Sequence, residues 1–381
     1  MFPWGVGARC DDGAVTDGIL DRVHRRRLAT QRLSAGGMRD GADVVRLLTC
    51  VQAQDAPLAA WSLGMRMRPR TTYAGVLAEQ AAGGWVRTHV LRPTWHFVAA
   101  EDLRWIQRVT AAKVESSMAA RHRGLGLDGS SMGKALDVLT DVLAGRTPLT
   151  RRELTAVFAE RGLPCRGEQV GHQLLVAELR SVICSGPPRG TEHTYVLVDE
   201  TVPPGPNDVL EGEDARRELV RRFVAGHGPA SDRDLGRWCS LTLTEIRRAL
   251  AELKDGLEQV EVSGDLLWSD PTVPARTTRA HRAYLLPTFD EVSLTYARTG
   301  FPRRDPEAPR QRLLSEVGGG IVVVDGEDVG TWKRTVGRAG VRVAILPDVA
   351  LPNDDLEALE KAAQALAAFL ERPLELEVPN A

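Results

Sequence analysis

One order of elements recurs along this chain and restricts its architecture more than any bulk property: a helix, a second helix, then two short strands around a Gly- or Pro-rich turn. It is clearest in GPASDRDLGRWCSLTLTEIRRALAELKDGLEQVEVSGDLLWSDP. There Ser231 with Asp234, and Thr242 with Glu245, have capping-box spacing, in which a hydroxyl and an acid three residues on satisfy the free N–H groups at a helix start. Ile246, Leu250 and Leu253 recur at helical spacing, and Gly256 stands where a helix-ending glycine is expected. Val260 and Val262 alternate as a strand, Ser263, Gly264 and Asp265 form a turn, and Leu266, Leu267 and Trp268 return. Two helices followed by such a hairpin spell a winged helix, here over residues 208–275.

The same grammar appears twice more. In the segment 111–205, Thr150 and Glu153 form a box before one helix and EQVGHQLLVAELR supplies another. Val182 and Cys184, the turn Gly186 to Gly190, then Tyr195 and Leu197 give a hairpin with Arg189 at its tip. A less regular copy fills 17–110: DVVRLLTCVQAQ, PLAAWSLGMRMR, a helix after Thr71, and strands WVRTHVL and TWHFV. From residue 276 the pattern turns to strands, AYLLPTFDEVSL, GGIVVVDGEDVGTW around Asp325-Gly326, and VRVAILP, closed by a helix from Asn353 to Leu370. The expected fold class is α+β: three tandem winged helix-turn-helix modules and a small β-rich subdomain over 276–381. Pro-rich polar stretches at 200–208, 270–276 and 299–310 read as linkers, the last as a mobile loop.

With 381 residues the chain is long enough for several cores. Its net charge of -2 hides a strong asymmetry, since five of the 49 basic residues are lysines and arginines cluster at Arg25 to Arg27, Arg66 to Arg70, Arg121 with Arg123, and Arg276, Arg279 and Arg282. The tail from Asp354 to Glu377 is acidic and offsets them. A basic surface for a polyanion and a codon bias toward Arg both account for this. The five cysteines, Cys10, Cys50, Cys165, Cys184 and Cys239, form no CxxC pair, and the eight histidines fall singly, so neither a zinc site nor a disulfide framework is expected. The start MFPWGVGARCDDG lacks the apolar stretch of a signal peptide, and no run approaches the ~18 apolar residues of a membrane span. A bacterial cytoplasmic, nucleoid-associated protein is the expectation. GLGLDG at Gly124–Gly129 matches a dinucleotide fingerprint in letters alone, because a polar helical segment precedes it instead of a strand.

The sharpest local feature is CVQAQDAP, residues 50–57, in which Gln52 and Gln54 lie two apart, a spacing that in extended backbone points both amides the same way. By composition alone such glutamines are solvated caps. LLTCVQAQDAPLAAWSLGMRMRP with VRTHVLRPTWHFVAAEDLRWI resembles the first module of the AlkZ/YcaQ superfamily of winged-helix DNA glycosylases, and the likeness continues through GHQLLVAELRSVICSGPPRGTEHTYVLVDE, PASDRDLGRWCSLTLTEIRRALAEL, YLLPTFDEVSLTY and VVVDGEDVGTWKR. The resemblance implies modules arranged around a concave cleft for duplex DNA, with a glutamine-apolar-glutamine motif at its centre. Gln52, Ala53 and Gln54 take those places, and Gln54, where a sister branch has aspartate, puts the chain on the AlkZ side.

What the resemblance implies chemically is monofunctional hydrolysis of the N-glycosidic bond of cationic alkylated purines of the N7-alkylguanine type, bulky adducts or interstrand cross-links included, without cofactor or metal. A natural role in alkylation repair or in self-resistance to a DNA-alkylating antibiotic fits equally. The two amides are expected to position water at C1′, with Asp55 the nearest carboxylate if a base is needed and a helix cap otherwise. Arg66, Arg68, Arg87 and Arg189, with Lys333, are the expected DNA contacts, and His89 and His96 either reach phosphate or simply pack. A hairpin from Asp325 to Trp332 is the candidate for insertion into the cleft. The competing reading is a transcriptional regulator that uses its winged helices for sequence readout and in which the glutamines are incidental.

Overall fold

The computed structural model describes residues 13–34, 37–190, 192–274, 281–296, 299–309 and 318–379. Cys10 and the rest of the N-terminal stretch, Arg276, Arg279 and Arg310 lie outside the described residues. In the first region, α1 (Gly13–Thr30) and α2 (Gly41–Leu48) precede β1 (Cys50–Gln52), α3 (Ala56–Arg66), α4 (Tyr73–Ala81), β2 (Trp85–His89) and β3 (Trp95–Ala99). The sheet order is β1-β3-β2, all antiparallel, so β1 is an edge strand. Thr49, which joins α2 to β1, sits at φ 65, a conformation that a β-branched residue rarely adopts.

The second region contains α5 (Leu103–Gly124), α6 (Gly129–Val142), β4 (Leu149–Thr150), α7 (Arg151–Glu160), α8 (Gln169–Leu179), β5 (Ile183–Ser185), β6 (Thr194–Leu197) and α9 (Val198–Thr201). Its sheet order is β4-β6-β5. GLGLDG is the link between α5 and α6, with Asp128 capping the latter. In the third region, α10 (Gly212–His227), α11 (Asp232–Trp238) and α12 (Leu243–Leu253) lead to the hairpin of β7 (Glu258–Val262) and β8 (Asp265–Ser269). The boxes at Thr150, Ser231 and Thr242 cap α7, α11 and α12, and in each the acid three residues on bonds back to the cap. Two details differ from expectation. Gly256 closes a short 3-10 turn after α12 instead of adopting a left-handed cap, and Asp265 already belongs to β8, so Ser263 and Gly264, both at positive φ, make the turn.

The last region contains β9 (Ala283–Pro287), α13 (Glu291–Leu294), β10 (Gly319–Val324), β11 (Glu327–Val336), β12 (Val341–Pro347), α14 (Asn353–Phe369) and β13 (Leu374–Glu377). Its sheet runs β13-β12-β11-β10-β9, with β13 parallel to β12. The stretch 299–309 is tied down by Arg303 to Asp348 and by Arg304 to Glu327 and Asp355. No described helix is both long and apolar enough to cross a membrane.

This sheet is clamped onto the first region. Helix α3 buries Leu58 to Leu63 and Arg66, nearly its whole circumference, as expected of a helix sandwiched between layers. Trp61 donates from Nε1 to the Leu285 carbonyl at 3.0 Å and meets the Phe369 ring at a centroid distance of 5.3 Å. A Cβ at Gly64 would lie 2.7 Å from that ring, so glycine lets α14 approach. Each large apolar side chain buried here contributes about 1.5–3 kcal/mol relative to exposure. A second core joins β3, α5, α10, α11 and α12 to α13. The short helix α13 thus stands where the first, third and last regions meet.

Candidate functional site

The glutamine motif sits at the end of β1. Gln52 pairs with His96 on β3, and the Ala53 N–H continues the ladder to the Trp95 carbonyl at 2.7 Å. Successive N–H groups along a strand point to opposite sides, so the Gln52 N–H faces away from β3. Glu291 of α13 accepts it through Oε1 at 2.8 Å. Oε2 of the same carboxylate accepts from Trp238 Nε1 at 2.9 Å and lies 3.5 Å from His227 Nε2. Glu291 is fully buried. Burial opposes its ionisation, yet His227, Arg92 and His96 outweigh that penalty and hold its pKa at about 2.

The side chains of the motif are fixed from the β2–β3 connection. Leu91 is buried at φ 64, and tight turns at Arg92 and Thr94 fold the chain back over the end of β1. Arg92 then donates from one terminal nitrogen to Gln52 Oε1 at 2.6 Å and from the other to the Arg237 carbonyl at 3.2 Å. His96 lies 2.9 Å from the Thr94 carbonyl through Nδ1, and that acceptor-only partner assigns the proton to Nδ1. Its Nε2 is left facing Arg92 at 3.4 Å. Burial, reinforced by Arg92, lowers the His96 pKa to about 3 and keeps the ring neutral. Gln54 is exposed, and its Oε1 accepts from the Trp95 N–H at 3.3 Å.

Behind Ala53 a second cluster ties the motif to the second region. Arg87 donates from Nε to the Ala53 carbonyl at 2.9 Å, lies 4.3 Å over the Trp95 ring, and meets His193 Nδ1 at 2.7 Å. Trp95 Nε1 reaches Glu178 of α8 at 3.3 Å, and His89 pairs with the same carboxylate. Burial and Arg87 together hold His193 at a pKa of about 3.

Several expected DNA contacts are corrected by this packing. Arg66 is fully buried and bound to Asp290 at 2.8 Å, so it presents nothing to a phosphate. The cause is α3 itself, interior on nearly every face. Arg87, His89 and His96 are buried, as Gln52 is, and they are engaged inside the protein by the Ala53 carbonyl, Glu178 and the Thr94 carbonyl respectively. The hairpin from Asp325 to Trp332 is integral to the five-stranded sheet, with Trp332 fully buried and bonded to the Leu286 carbonyl at 2.9 Å. Asp55 caps α3 by accepting from the Leu58 N–H at 3.1 Å.

Other expectations land on accessible surface. Arg68 is exposed beside a cavity of about 640 Å³ floored by Trp61, Met65, Tyr284 and Phe369. Arg189 is half exposed at its hairpin tip and paired with Glu153 at 2.6 Å. Lys333 is half buried on β11.

Sequence reasoning passed over Arg92, Trp238, His227, Glu178 and Glu291. The available signals were faint: an Arg-Pro pair between two strands, and an acidic pair following the apolar run YLLPTF.

A family model described as DNA glycosylase AlkZ-like matches residues 45–369. An interstrand DNA cross-link repair glycosylase of Streptomyces sahachiroi is 25% identical over 337 residues, covering 82% of this chain and 87% of the relative. The solved structure of Streptomyces sahachiroi DNA glycosylase AlkZ matches with a TM-score of 0.73 at 23% identity, over 93% of this chain and 98% of that one.

Proposed function

The chain belongs to the AlkZ-like family of DNA glycosylases, and from that premise we propose that it hydrolyses the N-glycosidic bond of cationic alkylated purines in duplex DNA, with Gln52 and Gln54 at the reaction centre. The observation that carries this reading is the anchoring of the motif. Gln52 and Gln54 flank a buried Ala53 at a strand end, with the backbone and side chain of Gln52 held from two directions by Glu291 and Arg92. Solvated caps have no need of such support.

In the proposed reaction a water oxygen bonds to C1′ while the C1′–N9 bond breaks. The bonding pair returns to the purine ring, which leaves neutral because alkylation had already made it cationic, and the water loses its proton to solvent. Neutral amides suffice for such a leaving group, since no acid has to protonate it. The first three helix-and-sheet regions are read as winged helices over 17–110, 111–205 and 208–275 around a concave DNA cleft, with 276–381 as the β-rich subdomain.

The inserting hairpin is reassigned to the one joining β11 and β12. Val336, Arg338 and Ala339 at its tip are exposed, and Arg334 in its stem feels the charge of Asp55. Arg68, Arg189 and Lys333 remain the proposed phosphate contacts. No lysine precedes Lys113 in the sequence, so none stands beside the motif along the chain, which supports hydrolysis without strand cleavage.

A duplex oligonucleotide with one N7-methyl-2′-deoxyguanosine, incubated with the protein and then heated in mild alkali, tests this. Strand scission that needs the alkali step and vanishes in Gln52→Ala and Gln54→Ala supports the reading. No base release from that duplex, nor from one carrying a nitrogen-mustard cross-link, overturns it. The cross-linked probe is chosen because the Streptomyces relative is named for cross-link repair.

A further inference from the structure

Each amide oxygen of the motif already accepts a hydrogen bond from a partner that only donates. Gln52 Oε1 accepts from the Arg92 guanidinium and Gln54 Oε1 from the backbone N–H of Trp95. Neither partner has a lone pair, so in each side chain the oxygen must face inward and the NH₂ group outward. Nε2 of Gln52, a residue 7% exposed, donates no hydrogen bond to the described residues yet is not a sealed, unpaired atom, and Gln54 as a whole is exposed. What the motif turns to the outside is therefore its N–H donors, while each oxygen, whatever capacity its second lone pair keeps, is directed toward Arg92 or the Trp95 backbone.

We infer that Arg92 is a positioning residue that sets this polarity, and that the pair donates hydrogen bonds to acceptors of the bound nucleoside, above all the lone-pair edge of the departing purine, and does not act as a base on the attacking water. Two arguments carry this, and both rest on the glycosylase reading. A water oxygen has two lone pairs, so one accepting from both amides has none left with which to attack C1′. The acceptor strength of the purine edge rises as the bonding electrons return to the ring. Donors aimed at that edge bind the transition state more tightly than the ground state.

Arg92 is suited to the task because it is itself immobilised, bridging Gln52 and the Arg237 carbonyl with His96 held neutral beside it. Glu291 completes the clamp by holding the Gln52 backbone.

Single-turnover base release from the N7-methylguanine duplex separates the alternatives, with duplex affinity and thermal unfolding measured alongside. Gln52→Glu keeps shape and length but replaces the outward donor with an acceptor. It is expected to lose about 100-fold or more in rate, matching Gln52→Ala, as for removal of one donor to a developing charge. Arg92→Leu is expected to lose about 10- to 100-fold at unchanged duplex affinity, and Arg92→Lys, which still donates, to recover a large part of it. Gln52→Glu within about tenfold of wild type overturns the donor assignment, and Arg92→Leu within about threefold overturns the role of Arg92. A folding defect is recognised by rates that follow the unfolding temperature and by a Lys variant no better than Leu, which also sinks the positioning role. If wild-type protein releases no base, the glycosylase reading has failed; if wild type is active and Gln52→Glu is too, only this inference has.

Discussion

Asp290 and Glu291 are neighbours, both fully buried, and they serve two clusters of opposite character. Asp290 meets Arg66 through both carboxylate oxygens at 2.8 Å. The terminal nitrogens of Arg66 are further engaged by Ser62 and Gln31, and Ser62 Oγ returns to Asp290 at 2.6 Å. That network stays inside the core, running on from Gln31 to the Tyr296 hydroxyl and leaving Arg66 Nε buried without a partner, and it staples α3 to the start of α13. The Glu291 side reaches Gln52, Trp238 and Arg92 by a chain of equally short bonds, but it ends on an amide whose donors are unspent. Buried polarity is common to both. Bonding capacity left over at the outer end distinguishes the candidate site from the staple.

The contrast can be broken most decisively at the staple. Asp290→Ala strands the buried Arg66 charge and is expected to cost about 3–5 kcal/mol, read from the denaturant midpoint, while the rate per folded molecule holds. A variant of wild-type stability would show that the ion pair contributes nothing. On the site side, Gln54→Ala should lower single-turnover base release about 100-fold with an unfolding temperature within a degree or two of wild type. Loss of stability in place of rate would move Gln54 into the structural cluster.

Acid sharpens the same comparison more gently. Burial, together with Arg92 or Arg87, holds the His96 and His193 pKa values near 3, below the ordinary 6.5. The unfolded chain therefore binds more protons between those values, and stability present above pH 6.5 is lost as the pH falls toward 3. Glu291, depressed from 4.5 to about 2, adds a loss in the lower part of that window. Unfolding temperature should decline from pH 7 to 4, with a shallower slope in His96→Gln; equal slopes would count against the buried neutral ring. The smallest effect belongs to Arg68→Ala, two residues beyond buried Arg66. It should weaken duplex binding a few-fold and reduce the salt slope by about 0.9 without touching stability, and an unchanged slope would remove Arg68 from the phosphate contacts.

Much of the local structure was legible because its causes are local. The boxes at Thr150, Ser231 and Thr242, the turns at Ser263-Gly264 and Asp325-Gly326, and the helix from Asn353 are each specified within a few residues, and each is present. The site was legible by half. Gln52 and Gln54 stand out in the chain, but Glu291 lies 239 residues from Gln52, and no periodicity reveals that α13 wedges beneath β1. The misreading of Arg66 has the same origin. Whether an arginine faces water depends on what packs over its helix, and here that is α13 and the C-terminal sheet. The parallel strand β13 went unread because four alternating residues at a chain end carry too little signal.

Strand β1 is three residues long and borders its sheet on one side. That border is not open, because α13 covers it and Glu291 takes the outward Gln52 N–H, so the candidate motif is reached past the end of the strand, where Gln54 is exposed. Under the proposed function, the size of lesion admitted there would be set by neighbours such as the exposed tip of the β11–β12 hairpin, and it could be retuned by changing that tip without disturbing the strand that holds the amides.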